Sequence, residues 1–230
     1  MLNPPSLLFQ NQLAVRPILG INPAVTDTAT LAPSARFAEA ILRFDAANAQ
    51  DPNQEIADGL AHPKELLYAQ RLTVWVRRLS PDAPEELLLA ARCQHICRWE
   101  SPRSSYPMTR PGYLLWRANL KKFHAKKSGE ILRATGYPEE FIQKVQDLNL
   151  KKNFPADPLS RIMEDALCLV FLEFQFADLA AKTDDAKTIN ALQKSWHKMT
   201  EAGRAEALKL TYGPREQTLL AAALRSVAAI

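Results

Sequence analysis

Glycine is scarce, with only 7 in 230 residues. Strand-rich folds with many tight turns need more, so the scarcity points toward helices. Cysteine is scarcer still. Cys93, Cys97 and Cys168 are odd in number and lack CxxC spacing, and all lie in apolar helical runs. They read as reduced, buried thiols of a cytoplasmic protein. No apolar run reaches the ~18 residues that span a membrane. The closest stretch, "ALCLVFLEFQFADLAA", is interrupted by acids. A strong charge excess is missing too: the net charge is +4, with a pI near 9.0. That mild basicity permits an anionic ligand such as a phosphate without demanding nucleic acid.

What is present is helical patterning. Residues 1 to 33 form an irregular arm with five prolines, one Arg and one Asp. The arm lacks a basic lead and a clean apolar block, which argues against a targeting peptide. From Ser34, a candidate N-cap, Phe37, Ile41, Leu42 and Phe44 recur at helical spacing. "DPN" at 51 to 53 breaks that helix, and Pro63 opens the next, where a missing N–H costs nothing. "SPDAP" (80 to 84) precedes a helix containing "AARCQHICRW". After the loop "ESPRSSYPMTRPG", further helices are predicted over 113–135, 138–150, 158–180, 185–199, 201–210 and 215–228. No period-2 strand and no βαβ pattern stands out, so the expectation is one all-α domain over 34–230.

The candidate chemistry sits on histidines and acids. His62 falls where a helix begins, and His95 lies 33 residues later near the end of the next. Glu164 and Asp165 head an apolar run. Buried acids are costly unless paired or bound to metal, and imidazole with carboxylate suits a divalent ion: Mn, Fe, Co, Ni, Zn or Mg. Each residue also has a structural alternative. His62 can cap a helix, His95 can be a bonded core histidine, and Glu164 and Asp165 can complement a helix dipole.

A basic, aromatic stretch follows His95. Arg98, Arg103, Arg110 and Arg117 alternate with Trp99, Tyr106, Tyr113 and Trp116, ahead of the lysines around His124. Guanidinium forks match phosphate oxygens and aromatic rings stack on bases. The expectation is a clamp for a small phosphorylated molecule made by Arg98, Arg103 and Arg110, extended by Arg117, His124 and Lys151. Asp45, Asn48 and Asp51 in "RFDAANAQDPN" either line the same pocket or cap a helix end.

The order "HPKELLYAQRLTVWVRRL…PEELLLAARCQHICRW…FHAKKSGEILRATGYPEEFIQKVQDLNL…EDALCLVFLE" resembles the HD-domain superfamily of metal-dependent phosphohydrolases, over roughly residues 36 to 180. The resemblance implies an HD-like helical domain, metal held by His62, His95 and Asp165, and hydrolysis of a phosphate ester, with a nucleotide among the candidates. Where the superfamily has His–Asp, this chain has His95–Ile96. Glu65 or Glu164 is then the acid left to act in catalysis. The alternative implied is a module that lost the dyad and binds an anion, a nucleotide or RNA without turnover. "RFDAAN", "HPKELLYAQR", "QHICRW", "YPMTRPGYLLWR", "FHA" and "EDALCLVFLE" carry a closer likeness, from about 34 to 208, to an uncharacterised bacterial and fungal family, DUF4202.

Overall fold

Proline and short polar caps divide the chain into helices. In the computed structural model residues 33–227 are described. The helices are α1 (Pro33–Asn48), α2 (Lys64–Leu79), α3 (Glu85–Cys93), α4 (Arg110–Ala134), α5 (Glu139–Leu150), α6 (Pro158–Val170), α7 (Phe176–Lys182), α8 (Asp185–Lys198), α9 (Glu201–Ala207) and α10 (Pro214–Val227). Pro63, Pro84 and Pro138 each sit just before a helix. Side chains do the same work elsewhere: Thr109 accepts from the Gly112 N–H, Asp157 from Ser160, Asp184 from Lys187 and Thr200 from Gly203. The all-α expectation therefore holds. The arm expected at 1–33, apart from Pro33, lies outside the described residues, as does the Ser34 side chain.

Two expectations are corrected here. The chain does contain strands, a hairpin of β1 (Gln54–Ala57) and β2 (Leu60–Pro63), with Glu55 opposite His62. Its two-residue turn is Asp58–Gly59, with φ of 50° and 76°. Positive φ at both positions matches the right-handed strand twist, and Gly59 adopts it without strain. His62 is thus a strand residue and α2 starts at Lys64. The helix expected over 158–180 is also not continuous: a π-helical turn, Phe171–Gln175, separates α6 from α7.

The core gathers one face of each helix. Ala40 and Phe44 on α1, Leu72, Trp75 and Val76 on α2, Leu87, Ala90 and Ala91 on α3, and Met163, Ala166 and Leu169 on α6 are fully or almost fully buried. Burying a side chain the size of Leu or Phe stabilises by about 1.5–3 kcal/mol against exposure. α2 lies against both α3 and α6, α4 runs along α5, and α8 packs on α10. The three cysteines carry free, buried thiols; burial pushes Cys93 and Cys168 up to about 12. No helix among the described residues is long and apolar enough to cross a membrane.

Candidate functional site

The site is built on the turn that ends α3. Beyond Cys93 the chain reverses through Gln94–Cys97, and Cys97 takes a left-handed φ of 51°. That conformation costs a non-glycine residue roughly 1–2 kcal/mol, and two buried hydrogen bonds offset it. The Cys97 N–H donates to Asn48 Oδ1 at 3.0 Å, and His124 Nδ1–H donates to the Ile96 carbonyl at 2.8 Å. Asn48 is therefore a strut, as are its two acidic neighbours. Asp45 holds Arg92 through both guanidinium contacts at 2.5 Å. Asp51 accepts from the Asn53 and Glu65 N–H groups at 2.9 and 3.0 Å, which fixes the hairpin's approach to the first turn of α2.

The turn delivers His95 into a cleft. Its ring stacks on Tyr68 with centroids 4.2 Å apart and planes 14° from parallel. Nδ1 lies 3.4 Å from Glu65 Oε2, and Nε2 lies 3.3 Å from Arg98 Nη1. Arg98 Nε stands 3.8 Å from the second Glu65 oxygen. Burial raises the Glu65 carboxyl to about 7, against the lowering pull of Arg98. Burial lowers His95 well below its ordinary value, helped by Arg98, Arg117 and Lys151. His124, desolvated and near His95, is lowered to about 3. Both imidazoles are neutral near pH 7.

Two hollows meet at His95 and share Tyr68, Arg98 and Gln175. One, of about 350 Å³, is lined by Arg117, Lys121, Lys151, Lys198 and the single acid Glu164, besides His124 and Asn149. Glu164 pairs with Lys151 and, at 3.2 Å, with Lys198. Burial opposes its charge, but the two ammonium groups outweigh that and hold the carboxyl below its usual range. Lys151, with a left-handed φ of 57°, closes α5 beside the hollow. Lys121 is depressed by burial and by neighbouring Lys151 and Arg117, which is what a crowd of like charges produces. The other hollow, of about 750 Å³, is lined by Glu55, Lys64, Glu65, Arg71, Asp178 and Lys182.

Of the residues expected from sequence, Glu65, His95, Arg98, Arg117, His124, Lys151 and Glu164 come together here. His62 does not: it lies in β2 and lines neither hollow. Asp165 does not either: both its oxygens accept from Thr200, through the backbone N–H at 2.8 Å and through the hydroxyl. The adjoining glycine, Gly203, has no room for a Cβ, which would lie 2.5 Å from that carboxylate. The expected His62–His95–Asp165 centre is thus not assembled. Among the described residues no group of three or more His, Cys, Asp or Glu side chains is placed to hold a metal ion. Arg103 and Arg110 are corrected as well. Arg103 spans its own loop, donating to the carbonyls of Tyr106, Pro107 and Thr109 at 2.9, 2.7 and 3.3 Å. Arg110 is exposed at the first turn of α4 and lines neither hollow.

Sequence reasoning missed Tyr68, Lys198, Gln94 and Asn149. Tyr68 was findable, since it stands one helical turn after Glu65. The family model for a domain of unknown function, DUF4202, matches residues 38–220. The chain belongs to the DUF4202 family. The match takes in every residue of the cleft named above. No curated protein and no solved structure matches it.

Proposed function

We propose that this DUF4202 chain binds a small phosphorylated molecule in the lysine-rich hollow and hydrolyses its phosphate ester. The observation that carries the reading is the convergence of Arg98, Arg117, Lys121, Lys151 and Lys198 on one cavity that holds a single acid. Charge-assisted hydrogen bonds from such groups to a phosphate contribute about 1.5–3 kcal/mol each. They also stabilise the charge that develops on phosphoryl oxygens during transfer.

The chemistry centres on His95. Its Nδ1–H faces Glu65 while its Nε2 accepts from Arg98. A phosphate drawing Arg98 toward itself frees the Nε2 lone pair. A water whose oxygen bonds to phosphorus passes its proton to Nε2, and the ester oxygen leaves with a proton returned from the same nitrogen. Glu65 fixes the tautomer and stabilises the transient imidazolium. The likeness to HD-domain phosphohydrolases supports the reaction class, and the three free thiols support a cytoplasmic setting.

A second reading keeps the binding and drops the turnover: an HD-like module for an anion, a nucleotide or RNA. Ile96 favours it, because the side chain standing where the superfamily has aspartate is fully buried among apolar neighbours.

The test is phosphate release from a panel of nucleotides and other phosphate esters, run with and without Mn, Fe, Co, Ni, Zn or Mg, beside a titration with inorganic phosphate. Turnover that falls at least a hundredfold in Glu65→Gln supports the hydrolase. Binding without turnover under every metal supports the module. Absence of phosphate binding rejects both.

A further inference from the structure

Among the described residues, five buried side-chain nitrogen or oxygen atoms lack a hydrogen-bond partner: Arg36 Nε, Asn48 Nδ2, Gln94 Oε1, His124 Nε2 and Asn149 Oδ1. The last three belong to residues that line the lysine-rich hollow. Their side chains are held around the turn that carries His95. Gln94 is part of that turn, His124 donates to Ile96 within it, and Asn149 Nδ2 donates to the Cys93 sulfur at 3.1 Å.

All three orphaned atoms are acceptors. His124 spends its one N–H on the Ile96 carbonyl, so Nε2 is left with a lone pair. Cys93 points its S–H at the Ala90 carbonyl, 3.7 Å away, so its sulfur accepts the Asn149 amide and Oδ1 is left over. Gln94, His124 and Asn149 are only 8%, 4% and 2% exposed. Buried acceptors are seldom left without a donor, and three on residues that line one cavity ask for a common source of donors.

The surroundings narrow what that source is. A metal cation or an amine would meet Arg98, Arg117, Lys121, Lys151 and Lys198 at close range. A hydroxyl group has no such conflict: its oxygen accepts from an ammonium or guanidinium while its hydrogen goes to an acceptor. We propose that the ligand is a sugar phosphate, its phosphate on the cations of the hollow and its hydroxyls on Gln94, His124 and Asn149. This rests on the phosphate reading of the same hollow and adds the half of the ligand which that reading leaves undefined. It also reassigns His124 from a phosphate contact to a hydroxyl acceptor, since a neutral imidazole lone pair repels phosphate oxygen.

The test compares ribose 5-phosphate with n-pentyl phosphate, which has the same charge and carbon count but no hydroxyls. Both are titrated into the intact chain alongside inorganic phosphate. Ribose 5-phosphate is expected to bind at least roughly tenfold tighter than n-pentyl phosphate, the discrimination that unpaired buried acceptors impose. His124→Phe and Asn149→Leu are expected to shrink that ratio toward one. The wild-type comparison stands even if either variant fails to fold. Equal binding of the two esters, with inorganic phosphate still bound, overturns the sugar and leaves the anion hollow intact. Water molecules that stay on the three acceptors in a crystal structure with ribose 5-phosphate bound also overturn it. If none of the three compounds binds, the phosphate reading fails and the sugar falls with it.

Discussion

The two halves of the cleft share His95, Tyr68 and Arg98, and they contain almost the same kinds of side chain. In the larger half most charges are answered locally, Lys64 being the lining cation with no ion pair among the described residues. Arg71 pairs with Glu55 and Lys182 with Asp178 at 2.9 Å, while Glu65 faces His95 and Arg98. In the smaller half Lys151 and Lys198 share one carboxylate, and Arg117 and Lys121 form no ion pair among the described residues. The number of cations does not separate the halves; the unanswered excess does. A field of that sign in a recessed cavity concentrates anions, whereas a self-neutralised wall does not.

That contrast can be strained at its shared centre first. Glu65 keeps its proton up to about 7 in the folded chain, against 4.5 for an ordinary glutamate. Between those values the folded state holds more protons than the unfolded one, so this residue's contribution to stability falls as pH rises. Relative to Glu65→Gln, the wild type is expected to lose on the order of 3 kcal/mol between about pH 4.5 and 8, read by urea unfolding. A difference that does not change with pH would place the Glu65 carboxyl in an ordinary solvated environment.

Asp165 separates the cleft from its support. Asp165→Ala strands the Thr200 N–H and hydroxyl and is expected to destabilise by about 2–3 kcal/mol. Affinity for inorganic phosphate should stay as it is. A drop in affinity without a drop in stability would return Asp165 to the site. Arg117→Glu puts an acid in the uncompensated half at an exposed position, and phosphate affinity is expected to fall by roughly tenfold or more. The smallest effect belongs to the matched half. Lys182→Ala removes one exposed partner of Asp178, and phosphate affinity should change by less than about twofold. If it changed as much as with Arg117→Glu, the two halves would act as one electrostatic unit.

Much of this architecture is legible in the sequence because prolines and apolar spacing mark helix boundaries to within a few residues, as at Pro84, Pro138 and Pro158. Alternation does not reveal the hairpin, because its strands are four residues long and half-exposed. Its signal was chemical: Asp58–Gly59 is a dipeptide suited to a two-residue turn. Within the site, His95, Arg98 and Lys151 stood out by residue type. Their joining did not, because it depends on two left-handed residues, Cys97 and Lys151, that no periodicity reveals. The neighbouring acids at 164 and 165 show the limit plainly. The HD-domain resemblance implies one site for both, but successive helical positions point about 100° apart. Glu164 meets two lysines in the cleft while Asp165 anchors α9.

The π-helical turn at Phe171–Gln175 makes chain length itself a property of the cleft. Such a turn carries a residue more than an α-turn, so it sets the rotational phase of everything after it. Phe171 reaches one half of the cleft, Phe174 the other, and Gln175 the seam between them. Removing one residue here would let α6 and α7 fuse into a single regular helix, turned by about 100° beyond the junction. Phe176 and Ala180, each 1% exposed, would swing off the core together. At this point the molecule tolerates a change of side chain far better than a change of count.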